Sequence, residues 1–172
     1  MENDELILSK KKILLVDDEK DILEFLSYNI KKEGAKVYTA TNGLEAIDLA
    51  KKKKPDLILL DVMMPEMDGI ETCQQLRESL ETKDIMIAFL TARGEDYSQI
   101  AGFDAGADDY ISKPIKPRLL ISRVKALLRR KQHASPAVSA IELKSLTIDR
   151  DRYIVLKDNQ EINLPKKEFE LL

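Results

Sequence analysis

Short runs of apolar residues alternate along the chain with longer stretches in which apolar residues recur every three or four positions. The first run covers residues 13–16, and the stretch after it places Ile22, Leu26 and Ile30 on one face of a helix. A continuous apolar run is typical of a strand buried on both faces, and the wider spacing is typical of an amphipathic helix. The pattern therefore predicts a strand followed by a helix.

The same alternation continues to about residue 131. Further strands are predicted at residues 37–40, 57–60, 85–90 and 110–111, and further helices around residues 46–50, 69–79, 97–105 and 120–127. Because helical crossovers make successive strands parallel, five strand–helix units predict a doubly wound α/β fold with helices on both faces of one sheet.

The pattern changes after residue 131. Cations at residues 129–131 favour the end of a helix there, and the segment 132–140, which contains Pro and Ser, is predicted to be a linker. We therefore expect a first domain at residues 1–131 and a second at residues 141–172.

The second domain is predicted to begin with a small antiparallel sheet. Short alternating segments at residues 143–148, 153–156 and 161–164 are separated by turn residues. Pro165 then opens a helix that reaches only Leu172. So short a segment buries little core by itself, which predicts an incomplete domain.

Composition narrows the class of protein. The 172 residues include 28 Lys and Arg against 31 Asp and Glu, a net charge of −3, with 44% hydrophobic residues. This balance is typical of a globular protein and unlike that of a stand-alone nucleic-acid binder. The single Cys73 excludes an internal disulfide, and the longest apolar run falls far short of the ~20 residues of a membrane span. We expect a cytoplasmic protein without membrane contact.

Charged and hydroxyl side chains lie within two residues after the ends of four predicted strands. Asp17 and Asp18 follow the first strand, Asp61 the third, Thr91 the fourth and Lys113 the fifth. Because open parallel sheets bind ligands at the carboxyl ends of their strands, we expect these side chains to converge. Clustered carboxylates need a cation, and their oxygen atoms suit Mg²⁺. A carboxylate beside Mg²⁺, with a Lys and a hydroxyl nearby, favours phosphoryl transfer onto Asp61.

Four segments resemble the receiver domain of two-component response regulators. They are residues 13–19 (ILLVDDE), 61–69 (DVMMPEMDG), 90–92 (LTA) and 106–114 (GADDYISKP). The resemblance implies a flavodoxin-like five-stranded parallel sheet of order 2-1-3-4-5. It also implies that a sensor histidine kinase phosphorylates Asp61, and that the protein is a phosphoacceptor regulator catalysing only its own phosphorylation and dephosphorylation.

The resemblance assigns roles to individual residues. Asp18, Asp61 and the Met63 carbonyl would bind Mg²⁺ directly, and Asp17 would act through a water molecule. Thr91 would receive phosphoryl oxygens, Lys113 would pair with them, and Tyr110 would rotate inward as Thr91 moves. The Lys113–Pro114 peptide bond would be cis. The resemblance also implies that Met63 and Arg93 occupy positions that tune hydrolysis of the aspartyl phosphate. Because a Met can obstruct the attacking water, we expect slow self-dephosphorylation.

Receivers of this kind commonly dimerise through the fourth helix, the fifth strand and the fifth helix. Asp108, Asp109 and Arg123 fit the charged face used there, whereas Gln99 and Leu119 occupy positions where an ion pair is usual. We expect phosphorylation to favour a homodimer, whose strength depends on these two departures.

Residues 146–172 resemble the start of the winged-helix effector domain of OmpR/PhoB-type transcription factors. That domain opens with a four-stranded sheet and a helix beginning near Glu168. The recognition helix and wing would lie beyond Leu172. The resemblance therefore implies transcriptional control, with DNA contact only through the missing part.

Three other functions use the same architecture, and the residues of this chain argue against each of them. A flavin carrier would bind its phosphate after the first strand, where Asp17, Asp18 and Glu19 would repel it. An aspartyl phosphohydrolase would carry a second Asp two positions after a nucleophile in that turn, where this chain has Glu19. A pseudo-receiver that acts only as a partner-binding module would lack one of the five site residues, and all five are present.

Overall fold

The computed structural model describes residues 8–92, 104–133, 140–143, 146–149, 154–157 and 160–162. The chain divides into two compact units, Met1–Arg129 and Arg130–Leu172. No helix in the described part has the length and hydropathy needed to cross a membrane.

A parallel sheet forms the centre of the first unit. Its strands are β1 (Lys12–Val16), β2 (Lys36–Ala40), β3 (Leu57–Asp61), β4 (Met86–Thr91) and β5 (Asp109–Ser112), and the described helices are α1 (Lys20–Lys32), α2 (Gly43–Lys53), α3 (Gly69–Glu78) and α4 (Pro117–His133). The strand order is β2-β1-β3-β4-β5, with every pairing parallel. This confirms the predicted doubly wound fold and strand order.

Two apolar layers cover the faces of this sheet. On one face, Leu15, Leu59 and Leu90 pack with the apolar stripes of α1 and α4. On the other, Leu60 and Phe89 belong to a layer that also contains the buried apolar side chains of α2 and α3. Because β3 is buried at all five positions, it reads in the sequence as a continuous apolar run ending in an acid.

Local capping fixes where two of the helices begin. The side chain of Asn42 accepts a hydrogen bond from the Glu45 backbone at the start of α2, and Asp68 accepts one from Glu71 at the start of α3. A Cβ at Gly69 would collide with the backbone carbonyl of Asp61. Glycine at this position therefore lets α3 begin directly against the end of β3.

The last helix differs from its predicted end. It continues to His133, so the predicted start of the linker at Gln132 is wrong. Arg, Lys and Gln are good helix formers, and cations stabilise the last turn of a helix, so nothing in residues 129–133 stops it. Residues 134–139 lie outside the described residues, as does most of the helix predicted at residues 97–105.

Four short strands form an antiparallel sheet in the second unit. They are β6 (Ala140–Leu143), β7 (Leu146–Asp149), β8 (Ile154–Lys157) and β9 (Gln160–Ile162), paired in that order. The single strand predicted at residues 143–148 is wrong, because Leu143 ends β6, Leu146 begins β7, and these two strands pair antiparallel. The apolar alternation did not mark the boundary between the two strands, because only two residues separate them in the sequence. The helix predicted from Pro165 lies outside the described residues.

Candidate functional site

The residues predicted to converge do so at the carboxyl edge of the sheet. Asp61 is the last residue of β3, Thr91 the last of β4, and Asp17 directly follows β1. Lys113 directly follows β5, and its backbone N–H donates to the Thr91 carbonyl at 2.6 Å. Asp17, Asp61 and Thr91 are each at most 5% exposed, whereas Asp18 is exposed.

The ammonium group of Lys113 joins the two buried carboxylates. Its Nζ donates to Asp17 Oδ2 at 3.0 Å and to Asp61 Oδ1 at 3.3 Å. The other oxygen of Asp17, Oδ1, accepts the backbone N–H of Glu19 at 2.9 Å. One cation thus balances two buried anions, and a negative charge is left over.

The pKa values reflect this imbalance. Burial, and after it the charge of Asp17, raise the pKa of Asp61 to about 6 against the opposing effects of Lys113 and of a hydrogen bond from the Met63 backbone. Burial acts to lower the pKa of Lys113, but its hydrogen bonds and charge interactions with Asp17 and Asp61 outweigh burial, so that pKa is raised. The lysine therefore stays charged, while Asp61 carries the unbalanced charge.

The three carboxylates at this edge fit a hard divalent cation. One oxygen each of Asp17, Asp18 and Asp61 lies within 4.8 Å of the others. The set offers oxygen ligands only, and its three negative charges exceed the single positive charge of Lys113. Oxygen ligands with excess negative charge are the donor set that Mg²⁺ takes, usually completed by waters. Met63 follows on the same loop, with its side chain 63% exposed.

Thr91 carries an unsatisfied hydroxyl group next to these charges. Its Oγ1 is buried and is the only buried side-chain polar atom without a hydrogen-bond partner in the described part of the chain. Such an atom costs stability unless it serves a ligand or a mobile group. The hydroxyl is therefore available to donate to an anion bound beside Asp61.

Tyr110 lies in β5, opposite Phe89 of β4. The residue is 8% exposed, and its ring contacts the ring of Phe89, with the centroids 5.7 Å apart. The tyrosine is thus on the strand next to the one that ends in Thr91, in a buried position. The Lys113–Pro114 peptide bond that follows β5 is cis, as predicted.

Three residues predicted to lie on a dimer face, Asp108, Asp109 and Arg123, form ion pairs within the chain. Asp108 Oδ2 accepts from Arg77 Nη2 at 2.9 Å and from the Ile87 backbone at 2.8 Å. Asp109 accepts from Arg123 Nη1 at 2.9 Å. Leu119, by contrast, is a 47% exposed apolar side chain on α4. Gln99 and Arg93 lie outside the described residues.

Arg77 is a structural contributor that the sequence pattern did not single out. Its guanidinium donates to the carbonyls of Gly106, Lys83 and Ile85 at 2.9, 2.8 and 2.6 Å, in addition to its pair with Asp108. These contacts join α3 to the segments that precede β4 and β5. A single Arg in an amphipathic helix gives no periodic signal, so only the tertiary structure reveals this role.

Comparison with known proteins gives one consistent family. The response regulator receiver domain family matches residues 13–125. The chain is 48% identical over 166 residues to the transcriptional regulatory protein SrrA of Staphylococcus aureus, covering 93% of this chain and 68% of SrrA.

Solved structures agree with that family. The Thermotoga maritima response regulator DrrB, described as an OmpR/PhoB homologue, matches with a TM-score of 0.63 at 34% identity, over 94% of this chain and 70% of DrrB. The Vibrio cholerae chemotaxis protein CheY4 matches with a TM-score of 0.66 at 31% identity, over 69% of this chain and 99% of CheY4.

Replacing Asp61 with Asn is expected to stabilise the metal-free protein at neutral pH. Folding raises the pKa of Asp61 from 3.8 to about 6, so the folded state retains a proton that the unfolded state has lost. The free energy of unfolding of the wild type therefore falls as the pH rises from about 4 to about 6, by at most about 3 kcal/mol. The Asn variant does not ionise and avoids this loss.

Urea denaturation in EDTA at about pH 4 and about pH 7 measures the effect. The advantage of Asp61→Asn is expected at the higher pH and is expected to shrink at the lower one. Asp84→Asn, at an exposed carboxylate, serves as the control and is expected to change stability by less than about 0.5 kcal/mol. An Asp61→Asn variant less stable than the wild type at about pH 7 would contradict the electrostatic account.

Proposed function

This chain belongs to the response regulator family, as a receiver domain of a transcriptional regulator, and from that membership we propose that Asp61 accepts a phosphoryl group from a sensor histidine kinase. The observation that carries the proposal is the arrangement around Asp61: a buried carboxylate with excess negative charge, an ammonium group 3.3 Å away and the unsatisfied hydroxyl of Thr91. Phosphoryl transfer needs positioning and charge neutralisation more than covalent chemistry, and these groups supply both.

The proposed reaction begins with attack by an Asp61 carboxylate oxygen on the phosphorus of a phosphohistidine. The P–O bond forms, the P–N bond breaks, and the departing imidazole keeps the electron pair and takes up a proton. The Lys113 ammonium, already in contact with Asp61, then pairs with a phosphoryl oxygen, and the Thr91 hydroxyl donates to another. Asp18, Asp61 and the Met63 carbonyl would hold Mg²⁺, with Asp17 acting through a water, and the ion would neutralise charge on the phosphoryl oxygens.

The proposed output is a homodimer that controls transcription. Movement of Thr91 toward the phosphoryl group leaves space that the neighbouring Tyr110 ring fills, which changes the face formed by β5 and α4. Two receivers paired on this face would bring two effector domains to adjacent DNA half-sites. Such a regulator acts in the cytoplasm and turns over no external substrate.

The second unit is proposed to be the start of that effector domain. Its four antiparallel strands, β6 to β9, agree with the sheet that opens a winged helix. DNA recognition would then depend on a helix and wing that follow residue 172. The competing proposal, a pseudo-receiver that only binds partners, is tested together with phosphorylation.

Incubation with Mg²⁺ and acetyl phosphate is expected to add one phosphoryl group to the wild type and none to Asp61→Asn. Intact-mass measurement detects the product directly. Asp84→Asn, which changes an exposed acid away from the site, is expected to be modified as the wild type is. An unmodified wild type would support the pseudo-receiver, and equal modification of Asp61→Asn would place the acceptor at another residue.

Replacing Leu119 with Glu is expected to weaken the phosphorylation-dependent dimer while leaving phosphorylation intact. Leu119 is 47% exposed on α4, and a charge buried there at an interface would cost several-fold or more in affinity. Sedimentation of the phosphorylated protein over a range of concentrations gives the dissociation constant. Leu80→Glu changes a leucine that is 83% exposed elsewhere and is expected to dimerise normally. Equally weakened dimers in both variants would argue against this face.

Replacing Met63 with Asn is expected to shorten the lifetime of the aspartyl phosphate several-fold. Met63 is exposed and lies two residues after Asp61, where its side chain would be an apolar obstacle to an attacking water, whereas an amide would hydrogen-bond that water. The decay of phosphorylated protein after removal of the phosphodonor measures the rate. Glu66→Gln, on the same loop, is the control. A wild-type lifetime no longer than that of Met63→Asn would refute the role of Met63.

A further inference from the structure

Eight lysines gather at the end of the sheet opposite Asp61. They belong to the beginning of β1, the beginning of β2 and the end of α2, and we call them the lysine edge: Lys10, Lys11, Lys12, Lys36, Lys51, Lys52, Lys53 and Lys54. Lys11 and Lys12 are partly exposed, and the other six are exposed. None takes part in the site described above.

The parallel topology brings these three segments together. Lys12 of β1 is in register with Lys36 of β2, and α2 runs back across the sheet so that its last turn reaches the same edge. Lys12 Nζ donates to the Lys53 carbonyl at 3.2 Å. The Nζ atoms of Lys36 and Lys53 each lie 5.6 Å from the centre of the Tyr38 ring. Residues far apart in sequence thus form one continuous surface.

Little negative charge balances this surface. Lys52 pairs with Asp48 at 2.8 Å on the exposed face of α2, and Asp56 accepts the backbone N–H of Lys12 at 2.9 Å. The segments 10–12, 36 and 48–56 together contain eight Lys and two Asp, a local charge of +6 in a chain whose total is −3. The negative end of the α2 dipole accounts for lysines at the end of that helix, but not for those on β1 and β2.

We propose that the lysine edge binds the phosphate backbone of duplex DNA without reading its sequence. Lysine is a compact cation suited to phosphate, and the surface carries no Arg or amide group for bidentate contact with bases. The large apolar side chains that the described part of the chain exposes all lie outside these segments, so a membrane would find no apolar anchor. The choice of DNA rests on the proposed function, in which the chain controls transcription. It departs from the expectation of DNA contact only through the missing part, because the lysine edge would add a contact that reads no sequence.

The position of the lysine edge makes this binding compatible with phosphoryl transfer. The lysines lie at the amino ends of β1 and β2, whereas Asp61 lies at the carboxyl end of β3. A five-residue strand spans about 16 Å, so DNA on one edge leaves the other open to a kinase. The opposite charges of the two ends also orient the domain, with its acidic site facing away from the phosphates.

Fluorescence anisotropy with a labelled duplex of arbitrary sequence tests the proposal on the whole 172-residue chain. The wild type is expected to bind with an affinity that falls steeply between about 50 and 200 mM salt. The triple variant Lys10→Gln, Lys51→Gln and Lys54→Gln removes three exposed charges. This variant is expected to make the negative slope of log K against log salt shallower by up to about 3. Each phosphate that a lysine neutralises contributes about −0.9 to that slope.

A matched variant separates this surface from general charge. Lys20→Gln, Lys116→Gln and Arg118→Gln remove the same charge from exposed positions at the start of α1 and around the start of α4, and are expected to leave the slope unchanged. Binding by Asp61→Asn is expected to equal that of the wild type. This readout needs no phosphorylation, so it can fail while Asp61 is still modified, or succeed while Asp61 is not.

Four results would overturn the proposal. The first is a wild type that does not bind DNA at about 50 mM salt, and the second is an equal decrease of the salt dependence in both triple variants. The third is tighter binding to vesicles of anionic phospholipid than to DNA. The fourth is DNA binding that occurs only after Glu2, Asp4 and Glu5 have been neutralised. The last result would mean that the lysine edge binds the acidic residues at the beginning of the same chain in place of DNA.

Discussion

The uneven pairing of Asp17 and Asp61 with one ammonium group governs the behaviour of this protein. Lys113 contacts both carboxylates, yet it can neutralise only one, and burial denies the other the solvation it would have in water. The raised pKa of Asp61 expresses that cost. The folded chain therefore holds a site that gains stability from any cation placed among its oxygens. Stability alone does not explain such a site, because a neutral residue at position 61 would cost less.

The rigid centre of the sheet makes this charged arrangement possible. Asp61 ends a strand that is buried on both faces, and the close approach of α3 at Gly69 fixes the backbone beyond it. The backbone bond from Lys113 to Thr91 joins the ends of β4 and β5. Side chains at the ends of buried strands move little. The site can therefore keep an unneutralised carboxylate and an unpaired hydroxyl group in place without rearranging. The same bond links the end of the strand that carries Thr91 to the strand that carries Tyr110.

The two edges of the sheet carry opposite charge, and this contrast follows from the topology. Turns at the carboxyl edge supply Asp17, Asp18 and Asp61, and the amino edge collects lysines from β1, β2 and α2. The net charge of −3 is a sum over the whole chain and does not show the local negative charge of one edge or the local positive charge of the other. The overall charge therefore describes solubility and long-range attraction, whereas the local charges describe what each edge can bind.

The residue pattern by itself determined the fold class and the residues at the carboxyl edge. The strand order followed from the resemblance to receiver domains. Buried parallel strands read as continuous apolar runs, and the residue after each run, such as Asp17 or Asp61, lies at the carboxyl edge of the sheet. Only the tertiary structure decided the contacts among distant residues: the sharing of Lys113 between two carboxylates, the joining of three segments by Arg77, and the pairing of Asp108 within the chain. It also decided that the helix beginning at Pro117 continues to His133. Periodicity records which face of an element is buried, but hydrogen bonds between elements depend on distances that no single segment encodes.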